Sequence, residues 1–168
     1  MTPEALSREL RLGSGPFLAR RRKVVVLSLL AAGSMMPIAL YQTGVIPHLP
    51  EPPLPGLDAD AVDAAGEAYA ILATPDALLG LGSYAVTAGL AAMGGERRAE
   101  TRPWVPLALA AKVVADAVFA AKLTRDQWTR HRAFCSWCLL AAGASFAAVP
   151  HVVPEARAAL RRWSSRRP

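Results

Sequence analysis

The stretch Phe134–Val153, FCSWCLLAAGASFAAVPHVV, decides how this chain is read. It is apolar over the roughly 20 residues that a helix needs to cross a bilayer. It also opens with C-x-x-C, Cys135 and Cys138, the only two cysteines among 168 residues. Three more apolar blocks lie upstream: Val24–Ile46 (VVVLSLLAAGSMMPIALYQTGVI), Ala77–Met93 (ALLGLGSYAVTAGLAAM) and Trp104–Leu123 (WVPLALAAKVVADAVFAAKL). The composition is 53% hydrophobic and the mean hydropathy +0.26. A soluble helix keeps a polar stripe at a period of 3.6 residues, and these blocks do not. An Ala-rich soluble bundle would leave the uniformly apolar first and last blocks unexplained. The expected fold is therefore an all-α integral membrane protein, a bundle of four transmembrane helices.

Lysine and arginine placement orients it. Arg8, Arg11, Arg20, Arg21, Arg22 and Lys23 precede the first block, and Arg97, Arg98 and Arg102 fall between the second and third. Arg157, Arg161, Arg162, Arg166 and Arg167 follow the fourth. The connector after the first block, residues 47–76, has no Lys or Arg and is acidic. The positive-inside rule places both termini in the cytoplasm and that acidic connector outside. Arg125, Arg130 and Arg132 then lie outside, against the rule. The net charge of +6 is mostly this topology signal. It implies contact with anionic lipid, and no aromatic-basic module points to nucleic acid. A cleaved signal peptide fits poorly, because the basic leader is long and the apolar stretch runs on past Ala31–Ser34.

The expected organisation is a basic cytoplasmic leader over 1–23, a transmembrane unit over 24–153 with an external loop at about 47–75, and a basic cytoplasmic tail over 154–168. Thr2 and Pro3 suit the N-cap and first turn of a short leader helix. The loop opens with PHLPEPPLPG, whose prolines impose a stiff, extended path. LDADAVDAAGEAYAILATP then reads as a short helix, capped by Asp58 or Asp60, limited by Pro75, with Val62, Tyr69, Ile71 and Leu72 as its apolar side. Together they suit a lid across the outer face of the bundle.

A C-x-x-C pair serves metal binding, redox exchange or plain packing. Structural zinc takes four ligands, and here it would need His48 and His131; no metal is expected. The redox reading places Cys135 in the first turn of the last helix, where the helix N-terminus stabilises a thiolate. Arg130, His131 and Arg132 just upstream would add positive charge. Cys138 follows one turn deeper on the same face, so Cys135 is expected to be the more accessible thiol and Cys138 the one nearer hydrocarbon. Disulfides persist outside the cytoplasm.

Four helices, a long external loop after the first and a C-x-x-C at the outer end of the fourth together resemble the vitamin K epoxide reductase family. PDALLGLGSY, Pro75–Tyr84, is similar to that family's pattern at the start of its second helix. The resemblance spans about Val24–Val153. It implies a thiol:quinone oxidoreductase of the bacterial inner (cytoplasmic) membrane that takes electrons from a thioredoxin-like extracytoplasmic protein and passes them to a quinone, ubiquinone or menaquinone. By the same resemblance Cys135 exchanges with the partner, Cys138 faces the quinone, and Asp76, Gly80 and Tyr84 fall near its pocket. Tyr84 and Trp137 are candidates to stack on the ring. The chain departs from the family in three places. It has no cysteine pair in the external loop, it carries Asp76 where an uncharged polar residue is common, and it carries Ala142 where some members have tyrosine. A second reading is a non-enzymatic scaffold of the same fold whose disulfide is a staple. Lys112 and Asp116, at i, i+4 inside the third block, form either a structural ion pair or a proton route.

Overall fold

The computed structural model describes residues 2–165; Arg166 and Arg167 of the basic tail lie outside the described residues. The described chain is helical, with one isolated parallel bridge between Leu57 and Phe134. Its helices are α1 (Pro3–Leu12), α2 (Leu18–Gln42), α3 (Ala59–Asp63), α4 (Asp76–Ala92), α5 (Arg98–Thr101), α6 (Trp104–Asp126) and α7 (Ser136–Ser164). A 3₁₀ turn, Gly66–Tyr69, follows α3, and a π-helical turn, Gln127–His131, continues α6.

The leader helix forms as its cap predicts. Thr2 Oγ1 accepts from the Ala5 amide at 3.3 Å, with Pro3 in the first turn. Four long helices then pack in a ring: α2 lies on α4 and α7, and α6 lies on α7 and α4. Three of them, α2, α6 with its π turn, and α7, are long and apolar enough to cross a membrane. At 17 residues, α4 is shorter, about 25 Å at 1.5 Å per residue. The ring turns Val26, Leu29, Val86, Val118, Phe119 and Phe146 outward, all exposed. Apolar side chains outside and small ones inside suit a bundle solvated by lipid, where close backbone approach replaces hydrophobic burial as the packing force. The chain is a membrane protein.

One end of the ring is closed by charge. Arg21 of α2 donates to the carbonyls of Ala91, Ala92, Met93, Gly94 and Gly95. Arg98 donates to those of Leu90, Ala91 and Met93. The carbonyls of Leu90, Ala91 and Ala92 are ones that the last turn of α4 leaves without intrahelical donors, and those of Met93, Gly94 and Gly95 lie just past it. Arg98 also forks onto Glu155 of α7 at 2.8 and 2.7 Å. Both partners are buried, Arg98 at 1% and Glu155 at 2% exposure. Basic residues that read as a topology signal are thus also structural parts. The start of α2 and the C-terminal half of α7 lie at this same end.

Three sequence expectations need correction. The loop helix is only Ala59–Asp63, followed by the separate 3₁₀ turn, and Ile71 and Leu72 are exposed rather than packed. Asp58 is its cap, accepting from the Ala61 amide at 3.0 Å. The connector after the third block is no loop: α6 and its π turn run to His131, and Arg132 leaves in the left-handed region at φ 55°. The last helix runs well past Val153, through Pro150 and Pro154, to Ser164.

Candidate functional site

The loop between α2 and α4 folds down as a lid over the start of α7. Gly56, at φ +86°, makes the turn that carries the chain to Phe134. There Phe134 donates to the Gly56 carbonyl at 2.8 Å, and Asp58 donates to the Phe134 carbonyl at 3.0 Å. Glu51 joins the two N-termini. Its Oε1 accepts from the Ser136 amide at 2.6 Å, and its Oε2 accepts from the Ala59 amide at 2.7 Å. A carboxylate at two helix N-termini satisfies amides that have no other partner and meets the positive end of both dipoles. Asp60 pins the proline-rich strand, accepting from the Leu49 amide at 2.8 Å and pairing with His48 Nδ1 at 2.8 Å. Trp137 Nε1 donates to the Pro50 carbonyl at 2.8 Å.

Under this lid Cys135 is the N-cap of α7, not a first-turn residue. Its Sγ accepts from the Cys138 amide at 3.3 Å, and its own amide donates to Gln127 Oε1 at 3.1 Å. Both cysteines are free thiols. Their accessibility is the reverse of the expectation: Cys135 is fully buried at 0% exposure, while Cys138 is half-buried. The cause is the lid, which no helical periodicity reveals. The expected basic surroundings are also absent. Arg130 pairs with Glu67 at 2.7 Å, and Arg132 lies 5.7 Å over the Trp128 ring, which itself stacks on Phe134.

The group that does face the thiols is Asp63, the last residue of α3. Ala59, Val62 and Asp63 form the buried face of that helix, the i, i+3, i+4 spacing that one face requires. The Cys138 thiol donates to Asp63 Oδ1 at 3.6 Å. Asp63 is 4% exposed, and its Oδ2 has no hydrogen-bond partner among the described residues. Burial pushes this carboxyl up to about 6, opposed by the neighbouring thiols and reinforced by the Asp76 carboxylate. Where the sequence shows no loop cysteine, the loop delivers a carboxylate. Its one trace in the sequence is an acid on the apolar side of DADAVD.

The other candidates are spread around this centre. Asp76 Oδ1 accepts from Gln42 Nε2 at 2.7 Å; the same nitrogen reaches the Asp63 carbonyl at 3.2 Å, and Gln42 Oε1 takes the Ala77 amide at 3.2 Å. Gln42, which sequence reading missed, thereby ties α2, the lid helix and α4 together. Gly80 lets α4 approach α2: a Cβ there would sit 3.1 Å from Met35 Sδ. Tyr84 shares a 3.1 Å hydrogen bond with Ser145 on α7. Tyr41, Leu81, Tyr84, Trp137 and Cys138 form the half-buried shell on a core of Ala31, Met35, Ile38 and Cys135. Lys112 Nζ meets Asp116 Oδ1 at 2.5 Å, and Ser83 and Thr87 of α4 complete the cluster. That arrangement has the satisfied partners of a structural ion pair. The cavity between the helices, bordered by Tyr84, Asp116 and Ser145, encloses about 10 Å³, room for about one water.

The chain is thus a membrane protein with two free thiols, one turn apart, at the start of an apolar helix under a folded loop. The sequence model of the vitamin K epoxide reductase family matches residues 23–153. The chain belongs to that family, one of membrane oxidoreductases. No curated protein and no solved structure matches the chain.

Proposed function

We propose that this protein is a thiol:quinone oxidoreductase of the bacterial cytoplasmic membrane, with four membrane-crossing helices, both termini inside, and the lid outside. A unit over residues 24–153 carries the activity between a basic leader and tail. The observation that carries the reading is the placement of Cys135 and Cys138. Cys135 caps an apolar helix and Cys138 lies in its first turn, between the lid and an aromatic shell.

The partner is a thioredoxin-like dithiol protein on the outer side. Its thiolate attacks the Cys135 sulfur of the Cys135–Cys138 disulfide, forming a mixed disulfide and releasing Cys138 as thiolate. The partner's second thiol then breaks the mixed disulfide, so the partner leaves oxidised and the pair is left as two thiols. Cys135 is covered by the lid, so this step requires residues 47–75 to lift. Asp63 accepts the Cys138 thiol hydrogen bond and orients that sulfur. The closed interior holds no ring, but the half-exposed shell of Tyr41, Tyr84 and Trp137 beside Cys138 fits a lipid-soluble quinone, with Tyr84 as its hydroxyl donor. Such a quinone supplies the sink, taking two electrons and two protons and leaving as quinol. Asp76 and Gly80 act one step back, through Gln42 and through the close packing of α2 and α4.

The burial of Cys135 favours one alternative, a non-enzymatic scaffold in which the pair is a staple. Purified protein given a reduced thioredoxin-like protein and a soluble quinone separates the two. Quinone reduction that is lost in Cys135→Ala and in Cys138→Ala supports the oxidoreductase; a folded protein with no turnover supports the scaffold.

A further inference from the structure

Asp63, Cys135 and Cys138 bring one carboxylate oxygen and two sulfurs within 4.8 Å of one another. We propose that the reduced pair and Asp63 form a three-ligand site for a single thiophilic divalent cation of the zinc class. No reading of the sequence assembles this set, because Asp63 comes from the lid and lies 72 residues before Cys135. The histidines that a sequence-based zinc site would need are not its ligands. His48 is occupied by Asp60.

Three observations support the site. The donors match the cation, since two thiolates and a carboxylate are ordinary zinc ligands, and three protein ligands with one open position make a stable coordination shell. One oxygen of the carboxylate is left over, while the other takes the Cys138 thiol. Asp63 is buried, and Oδ2 has no hydrogen-bond partner among the described residues, although buried polar atoms in folded proteins are nearly always satisfied. Finally, the cluster carries an acid, and neither arginine just upstream of Cys135 is turned to it. Arg130 is held by Glu67 and Arg132 by Trp128, while Asp76 is the next charge out and adds to the negative potential. A buried acidic cluster of this kind is stabilised by a cation.

Binding is a proton-for-metal exchange: two S–H bonds break, two metal–sulfur bonds form, and two protons go to water. The disulfide form has no thiolates to offer and leaves Asp63 alone. The lid caps the site, so the metal also fastens the lid to α7.

The test uses full-length protein in detergent, reduced and then freed of reductant, titrated with Co²⁺ and read by the sulfur-to-cobalt charge-transfer absorption. Zn²⁺ is added afterwards as competitor. The expected result is one Co²⁺ per chain, displaced by Zn²⁺. Binding is absent from the disulfide form and from Cys135→Ala and Cys138→Ala. Asp63→Asn is expected to weaken binding by about tenfold or more, since even residues behind a ligand cost 10–100-fold when removed. Asp63→Asn keeps the side-chain shape, so it serves where a cysteine variant fails to fold. Absence of the absorption in reduced wild type overturns the site, and affinity unchanged by Asp63→Asn overturns the three-ligand assignment. Neither readout involves a quinone or a partner protein, so failure here is separate from failure of the oxidoreductase reading.

Discussion

Glu51→Ala opens the lid and exposes Cys135. Glu51 bonds both helix N-termini, at 2.6 Å to Ser136 and 2.7 Å to Ala59. Hydrogen bonds to a charged group contribute about 1.5–3 kcal/mol each. Glu51 is only half-buried, so the low end applies, about 3 kcal/mol for the two together. At about 1.4 kcal/mol per decade, the fraction of molecules with the lid open rises about 100-fold. The assay is the rate of maleimide labelling in a Cys138→Ala background, where Cys135 is the sole thiol. When opening and closing are fast relative to labelling, the rate follows the open fraction. Wild-type Cys135, at 0% exposure, labels far more slowly than in unfolded protein, and Glu51→Ala labels about 100-fold faster than wild type. Glu51→Gln, which keeps one good acceptor, falls between. Fast labelling of wild type, or no change with Glu51→Ala, refutes the lid.

Other predictions concern the parts around it. Arg98→Met alone leaves Glu155 buried and unpaired and costs about 3–5 kcal/mol; adding Glu155→Leu recovers the part due to the unpaired charge and not the part due to the lost bonds to the carbonyls of Leu90, Ala91 and Met93, and thermal unfolding in detergent reads both. Gly80→Leu forces α4 off Met35, since even a Cβ meets its sulfur at 3.1 Å, and costs about 1–3 kcal/mol by the same assay. Asp60 is held below the ordinary carboxylate range, first by the Leu49 amide and then by His48. A lowered carboxyl stabilises the fold above its unfolded value and loses that contribution only as pH falls through the lower folded one. This anchor therefore holds at neutral pH and is lost only in acid, below the ordinary carboxylate range. The tryptophan emission that distinguishes wild type from Trp137→Phe, whose indole bonds Pro50, reports the release.

Much of this architecture is legible in the sequence, and what is not has a common physical cause. Apolar runs locate α2, α4, α6 and α7 because lipid demands continuous apolar length. Thr2 and Asp58 mark helix starts because capping is local chemistry. The prolines of PHLPEPPLPG and the helix after them suggest a lid because stiffness is local too. The contacts that make the site join distant segments. Glu51 meets Ser136, Asp63 meets Cys138, and Gln42 meets Asp76, at separations of 85, 75 and 34 residues. Periodicity along one helix says nothing about which loop residue lands on it, so the order of accessibility of the two cysteines was inverted. The arginines show the same limit. Arg21 and Arg98 read as a charge count, and only the fold reveals that they complete the end of α4.

Electron transfer from the cysteine pair to a quinone is open to a direct measurement. Reduced, metal-free protein is mixed anaerobically with a soluble quinone alone, and free thiols and quinol are counted after a single turnover. The expected result is that two thiols disappear per chain, that one quinol appears, and that both changes are lost in Cys138→Ala. Thiols that persist in folded protein, with the quinone unconsumed, would contradict it.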